Sequence, residues 1–263
     1  MVINASSNSK PSKTEPVILT QPSQAASGTS HHVALVLAGC GHRDGAEVTE
    51  AVSLMVALSE RGFRVQIFAP DRPSAQVVNH RTGQQDHGTA RNILDEAARV
   101  ARGQIEPLGS LEARRFDGLV FAGGFGVAYN LCNFATAGAQ AVLTPDTAAA
   151  LASFYDAGKP IGALCIAPVL LAAFARDRKL AGVHLTFGDG AAKDVIEVVS
   201  GWGVRAMPCA VRQSCVDTRH RMVSSPAYMQ GDANPADIMA SGRALVEGLG
   251  QFLADRGAGH HGR

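Results

Sequence analysis

The sequence predicts an α/β fold in which a mostly parallel sheet is covered by helices on both faces, a three-layer α/β/α sandwich. Apolar runs of strand length alternate along the chain with segments of helix length. The strand segments are continuous apolar runs, which is typical of strands that are buried on both faces. With 263 residues, 46% of them hydrophobic, the chain is long enough for one domain with a full core.

The first two strands are predicted at Val33–Ala38 and Arg64–Ala69, with a helix over Ala46–Glu60 between them. Asp44 and Glu47 resemble an acidic capping box at the start of that helix, with Asp44 as its first residue. This part of the chain therefore has the strand–helix–strand order of a parallel sheet.

Residues 71–105 interrupt that order. The segment starts as a loop at Arg72-Pro73 and contains a predicted helix over Arg91–Arg102. It is long for a plain connection, and we therefore expect it to cover a site.

The second half of the chain returns to alternating elements and ends in a hairpin and a helix. Strands are predicted at Phe116–Ala122, Pro160–Leu164, Val183–Phe187 and Val204–Met207, helices at Pro145–Ala157, Ile166–Ala175 and Ala191–Ser200, the hairpin at Val216–Val223 and the closing helix at Ala233–Leu253. Thr144-Pro145-Asp146 supplies an N-cap residue, a first-turn proline and a first-turn acid.

The two ends of the chain differ in composition from the rest. We expect residues 1–32 to be a disordered leader, residues 33–254 to be the domain and residues 255–263 to be a flexible tail. The leader is rich in Ser, Pro, Gln and Thr and has too few large apolar residues to pack. It has neither the apolar core of a secretory signal nor the Arg-rich face of a transit peptide.

Charge and cysteine content exclude several classes of function. The formal net charge of +1 gives no reason to expect a nucleic acid or an anionic membrane as partner. No apolar run approaches the roughly 20 residues of a membrane span. The five cysteines form no C-x-x-C pair and no zinc-ligand spacing. We expect free thiols, no metal and a cytoplasmic location.

Cys165 lies between the apolar run Pro160–Leu164 and the apolar helix that follows, which is the order of a nucleophile elbow. A thiol at that turn sits over the positive end of a helix, and this position favours the thiolate. The competing interpretation is a buried structural cysteine, since free cysteines are among the most buried residues. Both interpretations stay open from the local pattern alone.

Glu50 is the candidate proton carrier. Its predicted helix is apolar on almost every side, so a carboxyl group near its start must face a cleft or cost stability. Burial would raise its pKa, keep it partly protonated and suit it to hydrogen-bond the thiolate and to move protons. For Glu47, one turn earlier, helix capping is a better interpretation than catalysis.

Gly123 and Gly124 follow the strand Phe116–Ala122. Paired glycines let the backbone approach a ligand and direct N–H groups at a developing oxyanion. The N–H of Ile166, directly after Cys165, is the expected second donor.

Cys40 lies in a Gly-Cys-Gly turn after the first strand, near the same strand ends, and is a further candidate. The surrounding segment, Gly39–Gly45, also invites comparison with a dinucleotide fingerprint, with Asp71 as the ribose acid. The glycine spacing departs from that pattern. Asp44, Glu47 and Glu50 also place negative charge where a pyrophosphate would bind.

No histidine follows Cys165 directly, so no local motif supports a Cys-His-acid triad. His80 in the 71–105 segment and His184 in a predicted strand are the two histidines that could reach the crevice.

Motifs spread over residues 33–254 resemble the ElbB-type, or ES-one-like, glyoxalases of the ThiJ/PfpI branch of the class I glutamine-amidotransferase-like superfamily. The matching segments are Ala38–Gly41, Asp44–Glu50, Phe68–Asp71, Asn79-His80 with Thr82-Gly83, Arg91–Leu94, Gly123–Gly126, Asn130-Leu131, Gly158–Gly162, Cys165–Pro168 and Pro226–Met229.

The resemblance implies a flavodoxin-like doubly wound sheet, a homodimer, an elbow cysteine at Cys165 and a neighbouring glutamate at Glu50. Such proteins act on glyoxal or methylglyoxal without a cofactor. Asn130 and His80 fall within matching motifs and are expected near the substrate. Tyr129 stands where the family has a lysine and Ala122 where it has a proline, so substrate choice or rate is expected to differ. Cys132 adds a second thiol close to the glycine loop.

These observations predict a glyoxalase-like lyase that converts a small α-oxoaldehyde to a hydroxy acid through a Cys165 hemithioacetal. Two alternatives from other classes stay open. One is a redox sensor or binding protein in which Cys165 is oxidised, and the other is a regulatory subunit with a vestigial site.

Overall fold

A seven-stranded sheet lies at the centre of the computed structural model, which describes residues 31–189 and 192–258, with side chains through residue 254. The strands are β1 (His32–Val36), β2 (Arg64–Ala69), β3 (Ile105–Pro107), β4 (Gly118–Phe121), β5 (Ile161–Leu164), β6 (His184–Leu185), β7 (Arg205–Ala206), β8 (Cys215–Asp217) and β9 (Met222–Ser225). The helices are α1 (Val48–Glu60), α2 (Ile93–Val100), α3 (Phe134–Ala137), α4 (Pro145–Asp156), α5 (Pro168–Asp177), α6 (Lys193–Gly201) and α7 (Pro235–Ala258).

The strand order is β3-β2-β1-β4-β5-β9-β8, and every neighbouring pair is parallel except β8 and β9. The central strands are buried along nearly their whole length because helices cover both faces. Helices α1 and α7 pack together on one face, and α4 and α5 pack together on the other. The predicted doubly wound, flavodoxin-like α/β/α fold is therefore confirmed.

The order of the strands creates a crevice between β1 and β4. The chain moves outward from β1 to β2 and β3, then returns to β4 on the opposite side of β1. In open α/β sheets, ligands bind in the crevice outside the carboxyl ends of the strands at such a reversal. The loops after β1 and β4 meet there: Gly126 N donates to Gly45 O at 2.9 Å, and Phe125 N donates to His42 O at 2.8 Å.

The sequence prediction misses the edge strand β3, and it assigns to the central sheet two strands that lie outside it. Strands β6 and β7, which fall within two predicted strands, form a separate two-stranded parallel sheet. Side chains, not a strand ladder, connect β6 to the central sheet: Asp217 accepts from His184 N at 2.8 Å, and Ser224 Oγ accepts from Thr186 N at 2.9 Å. Apolar content alone does not reveal such a side-chain connection.

The segment 71–105 supports the loop after β1. Asp44 is buried, and its carboxyl group accepts from Val78 N at 2.7 Å. Asp44 is therefore not the N-cap residue that the sequence predicts. The N-cap residue is Glu47, whose side chain accepts from Glu50 N.

The predicted ends of the domain shift slightly. Strand β1 starts at His32, inside the predicted leader, of which residues 1–30 lie outside the described residues. The backbone of α7 continues to Ala258, into the predicted tail 255–263, whose last five residues are not described.

Candidate active site

The turn after β5 has the geometry of a nucleophile elbow. Cys165 has a φ of 62°, a left-handed conformation that is rare for a residue with a side chain. Its backbone N–H donates to Ser225 O of β9 at 2.9 Å, and α5 begins three residues later at Pro168. A strained conformation of this kind costs on the order of 1–3 kcal/mol and persists where the surrounding structure holds it. The predicted strand–turn–helix arrangement is therefore present.

Glu50 is the third residue of α1 and is 0% exposed. Its Oε1 accepts a hydrogen bond from Tyr228 N at 3.3 Å. Oε2 has no hydrogen-bond partner among the described residues, and the carboxyl group lies beside Cys165, whose thiol interacts with it and lowers its pKa. The structure therefore brings together the two side chains that the sequence selected.

Gly123 makes this close approach possible. A Cβ atom at position 123 would lie 2.2 Å from Glu50 Oε2 and 2.5 Å from Cys165 Cβ, both far inside contact distance. Gly124 has a φ of +101°, and a Cβ there would lie 2.3 Å from Glu47 N. The paired glycines are thus required because α1, the elbow and the loop after β4 pack backbone to backbone.

Burial dominates the protonation of the pair. It raises the pKa of Glu50 to about 8, against a smaller lowering by the Cys165 hydrogen bond. Burial, followed by the charge and the hydrogen bond of Glu50, raises the pKa of the Cys165 thiol well above 9. Hydrogen bonds from the N–H groups of Gly124 and Ile166 lower the pKa of the thiol, but by less. The expected stabilisation of a free thiolate at the elbow is therefore outweighed.

The pair opens into a cavity of about 500 Å³. Ten residues line it: His42, Glu47, Glu50, Gly124, Phe125, Cys165, Ile166, Val195, Tyr228 and Met229. Although Cys165 is only 7% exposed, it is among these lining residues, so a small molecule can reach it.

Glu47 has the capping role that the sequence favours. Its Oε2 accepts from Glu50 N at 2.7 Å, and its own N–H donates to Gly123 O at 3.0 Å. These bonds place carboxyl groups, not a free anion site, at the start of α1. The arrangement argues against the dinucleotide alternative, because a pyrophosphate needs that helix terminus.

Cys40 lies away from the cavity. It borders a separate space of only about 10 Å³, beside Asp44, Arg91 and Glu96. The turn 39–45 closes on itself, with Gly41 N donating to Ala46 O and Gly45 N to Gly41 O, both at 2.7 Å. The Cys40 side chain therefore faces the segment 71–105 and not Cys165.

Asn130 and Tyr129 belong to the short π-helical turn Val127–Leu131 and do not line the cavity either. Asn130 is buried; its Nδ2 donates to Ala38 O and Asp44 O, both at 2.9 Å, and its Oδ1 accepts from Ala75 N at 3.0 Å. These bonds hold the loop after β1 in place, which is a structural role.

The histidines are placed differently from expectation. His80 is exposed; its Nε2 accepts from Arg43 N at 3.3 Å, and its ring packs edge-on against His42, with ring centroids 5.1 Å apart. His184 lies near Asp217, with 3.8 Å between Nδ1 and Oδ2. Neither lines the cavity, whereas His42, which the sequence analysis passed over, does.

Four further lining residues were also missed as site residues: Phe125, Val195, Tyr228 and Met229. Tyr228 and Met229 occur in a motif that carried the family resemblance, which was the available signal. Phe125 lies in the Gly123–Gly126 motif, which carried the same resemblance. Val195 is an apolar residue in ordinary helical sequence, and nothing in the sequence distinguishes it.

Within residues 31–189 and 192–258, no group of three or more His, Cys, Asp or Glu side chains is arranged to hold a metal ion. In the same residues, no helix has the length and apolar character needed to cross a membrane. All five cysteines are free thiols.

Curated relatives identify the family. The chain is 41% identical over 204 residues to the human mitochondrial glutamine amidotransferase-like class 1 domain-containing protein 3, and the match covers 75% of this chain and 74% of that protein. It is 39% identical over 204 residues to the mitochondrial ES1 protein homolog of Rattus norvegicus, with 75% of each covered. The chain belongs to the ES1 family of glutamine amidotransferase-like class 1 proteins. No protein-family model matches it.

One solved structure agrees with the amidotransferase-like assignment, and a more distant one shares the fold. The isoprenoid biosynthesis protein with an amidotransferase-like domain from Ehrlichia chaffeensis superposes with a TM-score of 0.78 at 32% identity, over 85% of this chain and 100% of that one. Glyoxalase III from Candida albicans superposes with a TM-score of 0.53 at 16% identity, over 83% of this chain and 97% of that one, and so shares the fold.

The comparison corrects the expected location. The sequence predicts a cytoplasmic protein, but the ES1 relatives from human, Rattus norvegicus and Danio rerio are all named as mitochondrial. The cytoplasmic prediction is therefore wrong. It rested on free thiols and on the composition of the leader, and free thiols do not distinguish one reducing compartment from another.

Proposed function

We propose that this ES1-family protein is a cofactor-free glyoxalase that converts an α-oxoaldehyde to a 2-hydroxy acid. One observation carries the proposal: the Cys165 thiol, on a strained elbow, contacts the buried carboxyl group of Glu50 at the floor of one cavity. A nucleophile beside a proton acceptor is what covalent addition to an aldehyde requires.

The first step joins the Cys165 sulfur to the aldehyde carbon. Because burial raises the pKa of the thiol, the proton leaves as the C–S bond forms, and the Glu50 carboxylate accepts it. Glu50 then passes this proton to the former aldehyde oxygen, which gives a hemithioacetal. The N–H groups of Gly124 and Ile166, which face the sulfur, are placed to stabilise negative charge on that oxygen.

The second step moves a proton between the two carbons. Glu50, again ionised, removes the hydrogen from the carbon bonded to sulfur, and the electron pair moves into the adjacent carbonyl group to form an enediolate. Glu50 returns the proton to the second carbon, and the hydroxyl proton on the sulfur-bearing carbon moves to the neighbouring oxygen, which leaves a thioester of the 2-hydroxy acid on Cys165. Water cleaves the C–S bond, releasing the acid and restoring the thiol. A Glu50 pKa of about 8 suits both removal and return of the proton near neutral pH.

The test is turnover of methylglyoxal by the pure protein without glutathione or added metal, followed as lactate formation. We expect Cys165→Ala to lose at least about a thousandfold in kcat/KM, since no other thiol lines the described cavity. Cys209→Ala, at a partly exposed thiol outside the cavity, is the matched control and should keep wild-type activity. A Cys165→Ala variant as fast as wild type would eliminate the mechanism.

The redox-sensor alternative has less support. Oxidation by peroxide proceeds through the thiolate, and the raised pKa of the Cys165 thiol keeps the thiolate scarce at neutral pH. Mass spectrometry after mild peroxide treatment separates the two functions. Selective oxygen addition at Cys165 together with negligible aldehyde turnover would favour the sensor, whereas a protein that does neither would be a subunit with a vestigial site.

A further inference from the structure

The cavity above Cys165 is much larger than the substrates that the family resemblance suggests. Its volume of about 500 Å³ lies in the range of roughly 300–1,000 Å³ that is typical of pockets for drug-sized ligands. A glyoxal or methylglyoxal unit bonded to Cys165 would occupy only the floor, beside Glu50 and Gly124. The remaining volume would be left to water.

The walls above that floor are apolar. Ile166, Val195 and Met229 contribute aliphatic or thioether side chains, and Phe125 and Tyr228 contribute aromatic rings. Water in contact with such walls is displaced favourably by an apolar group, in proportion to the apolar area that becomes buried. The walls therefore favour a substrate with an apolar substituent attached to its dicarbonyl unit.

Phe125 extends this apolar surface to the rim. Its side chain is 55% exposed although the residue lines the cavity. The bond from Phe125 N to His42 O, at 2.8 Å, holds the backbone in place, so the ring is presented at the opening by a fixed loop. A substituent long enough to reach the rim would cover this ring.

The charges around the cavity exclude an anionic substituent. Neither lysine nor arginine is among its described lining residues, and the acidic ones are Glu47 and Glu50. Burial, together with the neighbouring His80, lowers the pKa of His42, so that His42 is mostly uncharged at neutral pH. A carboxylate or phosphate on the substrate would find neither lysine nor arginine among these residues and would be repelled by the Glu47 carboxylate.

We infer that the substrates are uncharged α-oxoaldehydes that carry an extended apolar substituent, with the dicarbonyl group at Cys165 and the substituent against Phe125 and Met229. This inference rests on the proposed glyoxalase function. It names the substrate class of the same site, which the geometry of the nucleophile alone does not specify.

A homologous series of 2-oxoaldehydes tests the inference. The value of kcat/KM should rise by roughly fourfold for each methylene that becomes buried, and by at least about tenfold in total from methylglyoxal to 2-oxooctanal. An oxoaldehyde of the same length that ends in a carboxylate should fall at least about tenfold below 2-oxooctanal. A flat or falling series, or a carboxylated substrate as good as the alkyl one, would overturn the inference.

Two variants test whether the preference for an apolar substituent depends on the apolar residues that line the cavity. Phe125→Ala should reduce the ratio of kcat/KM for 2-oxooctanal to that for methylglyoxal by at least about threefold. Val142→Ala removes a side chain that is 61% exposed and lies outside the cavity, and it should leave the ratio unchanged. Equal ratios in Phe125→Ala and wild type would contradict the placement of the substituent.

A binding measurement separates this inference from the proposed function. The rate of Cys165 alkylation by iodoacetamide is measured in the absence of a competitor, in the presence of 2-octanone and in the presence of octanoate. Peptide mass spectrometry separates alkylation at Cys165 from alkylation at the other cysteines. Neither compound can be isomerised by the proposed reaction. We expect 2-octanone to slow alkylation and octanoate at equal concentration to leave it unchanged. This result without aldehyde turnover would keep the pocket preference and reject the glyoxalase, whereas equal protection by both compounds, or by neither, would reject the preference.

Discussion

The carboxyl group of Glu50 interacts with the Cys165 thiol, and both groups are buried: Glu50 is 0% exposed and Cys165 is 7% exposed. Burial raises the cost of ionising both groups, and the charge and hydrogen bond of Glu50 raise the cost of ionising Cys165 further. Near neutral pH the free protein therefore holds both groups mostly neutral. In the proposed reaction, ionisation of the sulfur is therefore coupled to its attack on the substrate.

Replacement of Glu50 by glutamine should remove proton transfer and keep the shape of the site. The amide fills the same space but cannot accept the proton, so kcat/KM for the oxoaldehyde should fall by about 10²–10⁴-fold. Lactate formation under the conditions used for wild type is the measurement. Glu112→Gln, at an exposed position outside the cavity, is the matched control. Retention of more than a tenth of wild-type activity in Glu50→Gln would show that another group carries the proton.

The same substitution should make Cys165 easier to ionise. The charge and the hydrogen bond of Glu50 both raise the pKa of the thiol, so Glu50→Gln should shift the pH midpoint of Cys165 alkylation by iodoacetamide to lower pH. In wild type the midpoint should lie above that of N-acetylcysteine, because burial raises the pKa further. Peptide mass spectrometry across a pH series gives both midpoints. An unchanged midpoint in Glu50→Gln would mean that the two side chains do not interact in solution.

Glu50 should also make the stability of the protein depend on pH. Its pKa is about 8 in the folded protein against an ordinary value of 4.5, so the folded state holds the proton more tightly than the unfolded state between these values. The contribution of Glu50 to the free energy of unfolding should therefore be greatest below about pH 4.5 and fall between about pH 4.5 and 8, by up to about 1.4 kcal/mol per pH unit.

Denaturant unfolding of wild type and Glu50→Gln at several pH values measures this effect. Other titrating groups affect both proteins equally, so the difference between the two curves isolates Glu50. The variant should gain stability relative to wild type as pH rises toward 8. Parallel curves would show that Glu50 has an ordinary pKa.

The sequence was sufficient to find the two side chains that the fold brings together at the floor of the cavity, because each has a strong local signal. Cys165 follows an apolar strand and precedes an apolar helix, and Glu50 is an acid within an apolar helix. Alternating apolar strand and helix segments of the same kind also predicted most strands of the sheet. These signals survive because strand ends and helix starts are determined by residues close together in the chain.

The walls of the cavity could not be found in this way. Phe125, Val195 and Met229 come from a loop, α6 and the segment after β9, and they meet only because the fold brings these segments to one edge. Cys40 failed as a candidate for the opposite reason. It is close to the site along the chain, but the turn 39–45 directs its side chain toward the segment 71–105. Side-chain direction within an irregular loop depends on tertiary contacts that a local pattern does not contain.

Gly123→Ala should disrupt the site from the backbone side. The added methyl group would lie 2.2 Å from Glu50 Oε2 and 2.5 Å from Cys165 Cβ, so either the α1 start or the elbow must move. We expect a loss of about 1–3 kcal/mol in the free energy of unfolding and at least about a hundredfold loss in kcat/KM, because displacement of the Glu50–Cys165 pair by even an ångström impairs proton transfer. Gly109→Ala is the matched control, since a methyl group there meets no atom within 4 Å. Circular dichroism establishes that the variant folds before its activity is compared. A folded Gly123→Ala protein with wild-type turnover would mean that the close contact between Glu50 and Cys165 is not needed for the reaction.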